Sequence, residues 1–93
     1  MISSFRDKNT ERIFSRERVK QFSLNIQRLA QKKLWILHAA EALSDLKSPP
    51  GNRLEKLAGD RKGQYSIRIN NQWRICFKWH NGNASDVEIT DYH

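Results

Sequence analysis

Cysteine, proline and glycine are scarce in this 93-residue chain, which holds one, two and four of them. A lone Cys76 excludes an internal disulfide, and no Cys/His cluster has zinc-ligand spacing. Neither a phosphate-cradling glycine loop nor a nucleophile elbow is present. No apolar run reaches membrane-spanning length, and the opening Met1 to Arg6 has no apolar signal region. The expectation is a cytoplasmic protein with no membrane partner and no metal or other cofactor. Acidic residues are also outnumbered: 10 Asp and Glu stand against 17 Lys and Arg, for a net charge of +7 and a pI near 10.0. That excess favours a polyanionic partner such as nucleic acid. Hydrophobic residues at 38% and charged residues at 29% suit one folded domain with a modest core rather than a disordered chain.

The strongest pattern runs from Gln64 to Trp79. Tyr65, Ile67, Ile69, Trp73, Ile75, Phe77 and Trp79 alternate with polar residues, as in a half-buried strand pair. Keeping these apolar residues on one face requires a loop at Asn70 to Gln72 and sets Arg68 opposite Arg74. Like charges directly opposite each other are destabilising. A sheet face that keeps them is suited to an anion such as a phosphate. A third strand is expected at about Ala84 to Tyr92, after an Asn81-Gly82 turn. Aligning Ile75 with Ile89 and Phe77 with Val87 calls for a three-residue loop or a bulge. The polar face then has three rows: Arg68, Arg74 and Thr90; Ser66, Cys76 and Glu88; Gln64, Lys78 and Asp86. Cross-strand ion pairs account for part of this face without any ligand, but not for Arg68 beside Arg74.

Upstream, Met1 to Phe5 reads as a short strand. A short first helix begins near Asn9 or Thr10, either of which could cap it. Ser15 to Gln21 is highly charged and either extends that helix or forms a mobile loop. A long helix capped by Ser23 carries Ile26, Leu29, Ala30, Leu34, Leu37 and Ala40 at helical spacing, through Leu43. Arg28, Lys32 and Lys33 lie on its polar side. Ser48-Pro49-Pro50-Gly51 breaks the helix, and a connector runs from Asn52 to Gly63 with Leu54 and Leu57 as anchors. The fold expected is α+β, with an N-terminal strand and two helices on one face of an antiparallel sheet whose other face is open to solvent. Whether the connector folds over the arginine row is left open by sequence.

Two crowded arginines beside a chain end of Asp91-Tyr92-His93 suit RNA cleavage without a metal. That reaction needs a base for the 2′-hydroxyl, cations for the charged phosphorane, and an acid or stabiliser for the leaving oxygen. Histidine titrates near neutrality, and arginine offers paired donors to phosphate oxygens. Strand parity sends Tyr92 to the side of Arg74 but Asp91 and His93 to the apolar side, unless the strand bulges or its end curls away. His38 and His80 are expected to be structural or merely exposed.

These residues resemble the HigB toxins of the RelE/ParE superfamily, also described as plasmid-maintenance killer proteins. The resemblance spans nearly the whole chain, residues 1–93, as a single domain. It is carried by Met1-Ile2 with Ser4-Phe5, by Pro49-Pro50-Gly51-Asn52-Arg53-Leu54, and by Leu57, Gly59-Asp60-Arg61 and Gly63. It continues through Tyr65 to Asn70, Asn71 to Ile75 and the terminal Asp91-Tyr92-His93. The resemblance implies a type II toxin that cuts translated mRNA in the 30S decoding region of the ribosome, without metal. It also implies a HigA-like helix-turn-helix antitoxin as partner. By motif position, Asp91, Tyr92 and His93 match the family's C-terminal catalytic group, and Arg74 its phosphate-contacting strand arginine. Glu55 stands where some relatives carry a histidine, and Ala58 where they carry a lysine. Proton transfer or phosphate binding would then fall to Glu55, Lys56, Arg61 or His93, with Glu55 a candidate base. Arg53, Lys56, Arg61, Lys62 and Arg68 are candidate RNA contacts, and Arg28, Lys32 and Lys33 candidate ribosome contacts. Two alternatives stand beside this: a ParE-like gyrase poison on the same fold, and a non-catalytic ribosome- or RNA-binding module.

Overall fold

The computed structural model describes residues 1–91. Helix α1 (Lys8–Phe14) and helix α2 (Leu24–Ala39) precede a four-stranded antiparallel sheet in the order β1 (Glu55–Lys56), β2 (Gln64–Arg68), β3 (Trp73–His80) and β4 (Asn83–Asp91). Residues 43–47, 50–52 and 59–61 form single 3₁₀ turns. The expected α+β class stands. The sheet has one more strand than the sequence reading allowed, because two connector residues pair with β2: Glu55 with Ser66 and Lys56 with Tyr65. Two residues are too few to show an alternation.

The first residues lie along the outer edge of β4. Ile2 and Phe5 bridge Ala84 and Val87 in parallel, and the Ser3 and Arg6 amides donate to the Ala84 and Val87 carbonyls. This covers the edge without making a full strand. The α1 cap is Asp7 rather than Asn9 or Thr10: its carboxylate accepts from the Thr10 amide at 3.1 Å and the Thr10 hydroxyl at 2.6 Å. Thr10 is thereby turned inward, where its oxygen accepts from the Ile89 amide. The charged stretch that follows α1 is a loop tied to α2. Buried Gln27 accepts from the Val19 amide and donates to the Glu17 carbonyl, while Arg18 donates to Gln27, Val19 and Phe22.

Ser23 caps α2 as its spacing predicts. The helix stops at Ala39, short of Leu43, and Asp45 caps the next turn by accepting from the Glu41 and Ala42 amides. Ala30, Leu34 and Leu37 are buried on the apolar sheet face formed by Ile67, Ile75, Phe77 and Val87, all fully enclosed. This layer fixes which sheet face the functional side chains can use.

The register of β2 and β3 follows from that burial. Ile67 pairs with Ile75, and Arg68 with Arg74. Asn70 closes the loop by accepting from the Gln72 and Trp73 amides. At the second hairpin, Asn81 and Gly82 both have positive φ, as a two-residue turn of this twist requires. Ile75 pairs with Ile89 as expected, but Lys78 stands opposite Ser85 rather than Asp86. A bulge between those rows, with Asp86 at φ 50, absorbs the extra residue.

Candidate functional site

The polar sheet face is not open as the sequence reading expects. Arg74, Ser66 and Cys76 are buried. The connector folds back against this face: its β1 residues pair with β2, and Arg61 reaches across to Glu88. This decides where the charged groups can go. A buried guanidinium is tolerated only when its N–H groups are hydrogen-bonded. Arg74 Nε donates to Ser66 Oγ at 2.8 Å, its Nη2 donates to the Arg53 carbonyl at 2.7 Å, and Glu55 Oε2 lies 3.6 Å from Nη2. The planar fork of Arg74 is therefore locked in one orientation.

Each partner comes from a different element. Ser66 is on β2, diagonal to Arg74. Glu55 is on β1 and faces Arg74 because it pairs with Ser66. Arg53 follows the Pro50–Asn52 turn in the left-handed conformation, φ 46 and ψ 56. Non-glycine residues rarely adopt it. Its carbonyl is the one that Arg74 grips.

Arg68 stands directly opposite Arg74. Its Nε donates to the Asn70 carbonyl at 3.1 Å and its Nη2 to the side-chain oxygen of Asn71. Arg53, Arg68, Asn70, Asn71 and Arg74 line a cleft of about 260 Å³. Three arginines line it, and Glu55 is a carboxylate 3.6 Å from Arg74. A larger concavity, about 580 Å³, lies at the far end between His38, Glu41 and the Asn81-Gly82 turn. It lacks such a cation group, and its imidazole already accepts the Ile2 amide at Nδ1. The smaller cleft is thus the better match to a polyanion.

The other candidate residues separate into groups. Arg61 donates to Glu88 at 2.6 Å and to Gln64, and the Glu88 hydrogen bond raises its pKa above the ordinary arginine value. Glu88 also lies 3.6 Å from Arg6. Lys62 is exposed beyond the turn, and Lys56 pairs with Tyr65 on the opposite sheet face from Glu55. Arg28 and Lys32 are exposed on α2, whereas Lys33 is half-buried. His80 is exposed. Asp91 pairs with Trp73, on the face away from Arg74, and accepts from Gln72 Nε2 at 3.2 Å. The structure therefore does not bring Asp91 into the arginine cleft. Tyr92 and His93 lie outside the described residues. Ser66 and Asn52 were not singled out by sequence. Alternation does place Ser66 on the arginine face, but its burial depends on the connector's path. Cys76 is enclosed, and burial pushes its thiol pKa up.

Comparison with known proteins agrees with this architecture. Residues 3–93 match the family described as HigB-like toxin, a RelE-like toxin of type II toxin–antitoxin system HigB. The chain is 44% identical over 90 residues to Toxin HigB-1 of Vibrio cholerae, covering 96% of this chain and 95% of the relative. It is 44% identical over 41 residues to Endoribonuclease HigB of Proteus vulgaris, covering 44% and 45%. The YoeB-YefM complex from Staphylococcus aureus contains a chain of similar fold, with a TM-score of 0.62, 15% identity, and 100% and 98% of the two chains covered. No helix among the described residues is long and apolar enough to cross a membrane. With a family match over residues 3–93 and 44% identity to a relative over nearly the whole chain, this chain belongs to the HigB family of RelE-like toxins of type II toxin–antitoxin systems.

Proposed function

We propose that the chain is an endoribonuclease that cuts mRNA on the translating ribosome, inhibiting translation and growth, with the arginine cleft as its phosphate site. The observation that carries this reading is the cross-strand pair Arg68 and Arg74, joined by Arg53 around one cleft. A phosphodiester there relieves their mutual repulsion, and two fixed guanidiniums stabilise the charge that grows on the phosphorane. Glu55 beside Arg74 is the proposed base. It takes the 2′-hydroxyl proton as O2′ bonds to phosphorus, and the P–O5′ bond then breaks. A proton passes to the leaving oxygen from His93, with Tyr92 stacking on a base or donating a hydrogen bond. The resemblance also offers Asp91 for this terminal group. Arg61, Lys62 and Lys56 are proposed contacts to flanking RNA, and exposed Arg28 and Lys32 to the ribosome. A HigA-like helix-turn-helix antitoxin is the proposed partner, in the cytoplasm. In support, a second Staphylococcus aureus structure of similar fold is a YoeB-YefM toxin–antitoxin complex.

The test is induced expression followed by mapping of mRNA 5′ ends. Wild type should create new ends within translated reading frames, and Arg74→Ala should not. DNA-damage signalling with intact mRNA would overturn the reading in favour of a gyrase poison.

A further inference from the structure

Lys33 differs from its neighbours on α2. It donates from Nζ to Asn52 Oδ1 at 2.5 Å. Asn52 is fully buried, and its Nδ2 donates to the Leu46 and Ser48 carbonyls, each at 3.2 Å. Both amide hydrogens are thus committed to the turn, and the amide oxygen is left to hold the ammonium. The residue after Asn52 is Arg53, which lines the cleft. Burial first, then repulsion from Lys32 and Arg68, holds the Lys33 ammonium below the ordinary lysine pKa. An ammonium has three donors, and Asn52 is the only acceptor for them among the described residues. The ammonium is thus one residue from the cleft wall at Arg53, with two of its three donors matched to no acceptor among the described residues.

We propose that Lys33 is an accessory cation beside the arginine cleft, which takes a second phosphate of the RNA backbone next to the one held by Arg68 and Arg74. The assignment rests on the reading of the cleft as a phosphate site, and it moves Lys33 from the ribosome-facing side of α2 to the substrate. Asn52 is then a positioning residue. It fixes the ammonium and, through the same turn, the Arg53 carbonyl that orients Arg74.

The probe is a short 2′-O-methyl oligoribonucleotide, which keeps the phosphates but lacks the attacking hydroxyl. Lys33→Met should weaken its binding several-fold. It should also flatten the dependence of log affinity on log salt by about 0.7, the share of one phosphate contact on a single strand. A purely structural lysine would not change that slope. Lys33→Gln serves as the second neutral variant if the first does not fold. In the wild-type protein, oligonucleotide binding should move the NMR titration of Lys33 Nζ upward, because a phosphate would then offset the repulsion from Arg68. An unchanged slope and an unmoved titration, with Arg74→Ala still weakening binding, would overturn the role of Lys33 and leave the cleft standing. If neither substitution affects binding, both fall.

Discussion

On the polar sheet face near the Asn81-Gly82 turn, Lys78 lies 3.2 Å from Asp86, and one row inward Arg61 and Arg6 share Glu88. At the other end of the same strands, Arg68 faces Arg74, with Arg53 on a third element and Glu55 as the carboxylate in range. Both ends come from one alternation of polar residues, yet at one end the cations have acidic partners at close range and at the other they crowd together. Ion pairs at the first end account for Lys78 and Arg6 as ordinary surface electrostatics and leave Arg61 a flanking contact at most. Among the described residues, three arginines meet at the second end around one cleft, with Glu55 the carboxylate beside Arg74. That contrast, more than the overall charge of +7, is the ground for proposing the phosphate site at the arginine end.

The sharpest way to break the comparison is at the crowded end. Arg74→Ala should lower the rate of mRNA cleavage by roughly 100- to 1,000-fold, the usual loss for one fixed donor to a developing anion. Single-turnover cleavage on programmed ribosomes measures it. Next is Ser66→Ala, which removes the acceptor for Arg74 Nε. It should cost about 1–3 kcal/mol of stability in denaturant unfolding, because the guanidinium stays buried with one donor unpaired, and it should also slow cleavage. Arg68→Ala should weaken oligonucleotide binding about tenfold and flatten its salt slope by about 0.7. At the paired end, Glu88→Gln should leave cleavage within about twofold of wild type and change stability by under about 1 kcal/mol. A large loss of cleavage from Glu88→Gln would erase the distinction between the two ends.

The smallest expected effect lies between the ends, at Cys76. Its folded-state pKa is raised above the ordinary value of 9.0 by burial. The neutral thiol is therefore favoured in the folded protein. This contribution is fully present below the unfolded pKa and is lost as pH rises through the folded one. Cys76→Ala should remove a small part of the alkaline fall in stability above pH 9, and the native thiol should resist alkylation at neutral pH.

Much of this was legible in the sequence for one reason: strand side chains alternate with period two. Once Ile67, Ile69, Ile75 and Phe77 share a buried face, Arg68 must oppose Arg74, and it does. Ser23 as cap and Asn81-Gly82 as turn are equally local signals. What sequence did not give were the contacts set by the connector. Its 3₁₀ turns carry no periodicity, so nothing marked Glu55 as a strand residue, Arg53 as left-handed, or Asn52 as the buried anchor of Lys33. For the same reason the polar face was expected to be open, though Arg74, Ser66 and Cys76 are enclosed. Asp91 did obey the strand parity. It pairs with Trp73, and the register runs without a bulge from Ile75 to Trp73.

The most direct test is a purified translation system programmed with one defined mRNA, comparing wild type and Arg74→Ala at matched folded fraction. The account predicts that wild type severs the message only when ribosomes are translating it and that the variant leaves it whole. Equal cutting by the two proteins would contradict the claim that the arginine cleft holds the phosphate being broken.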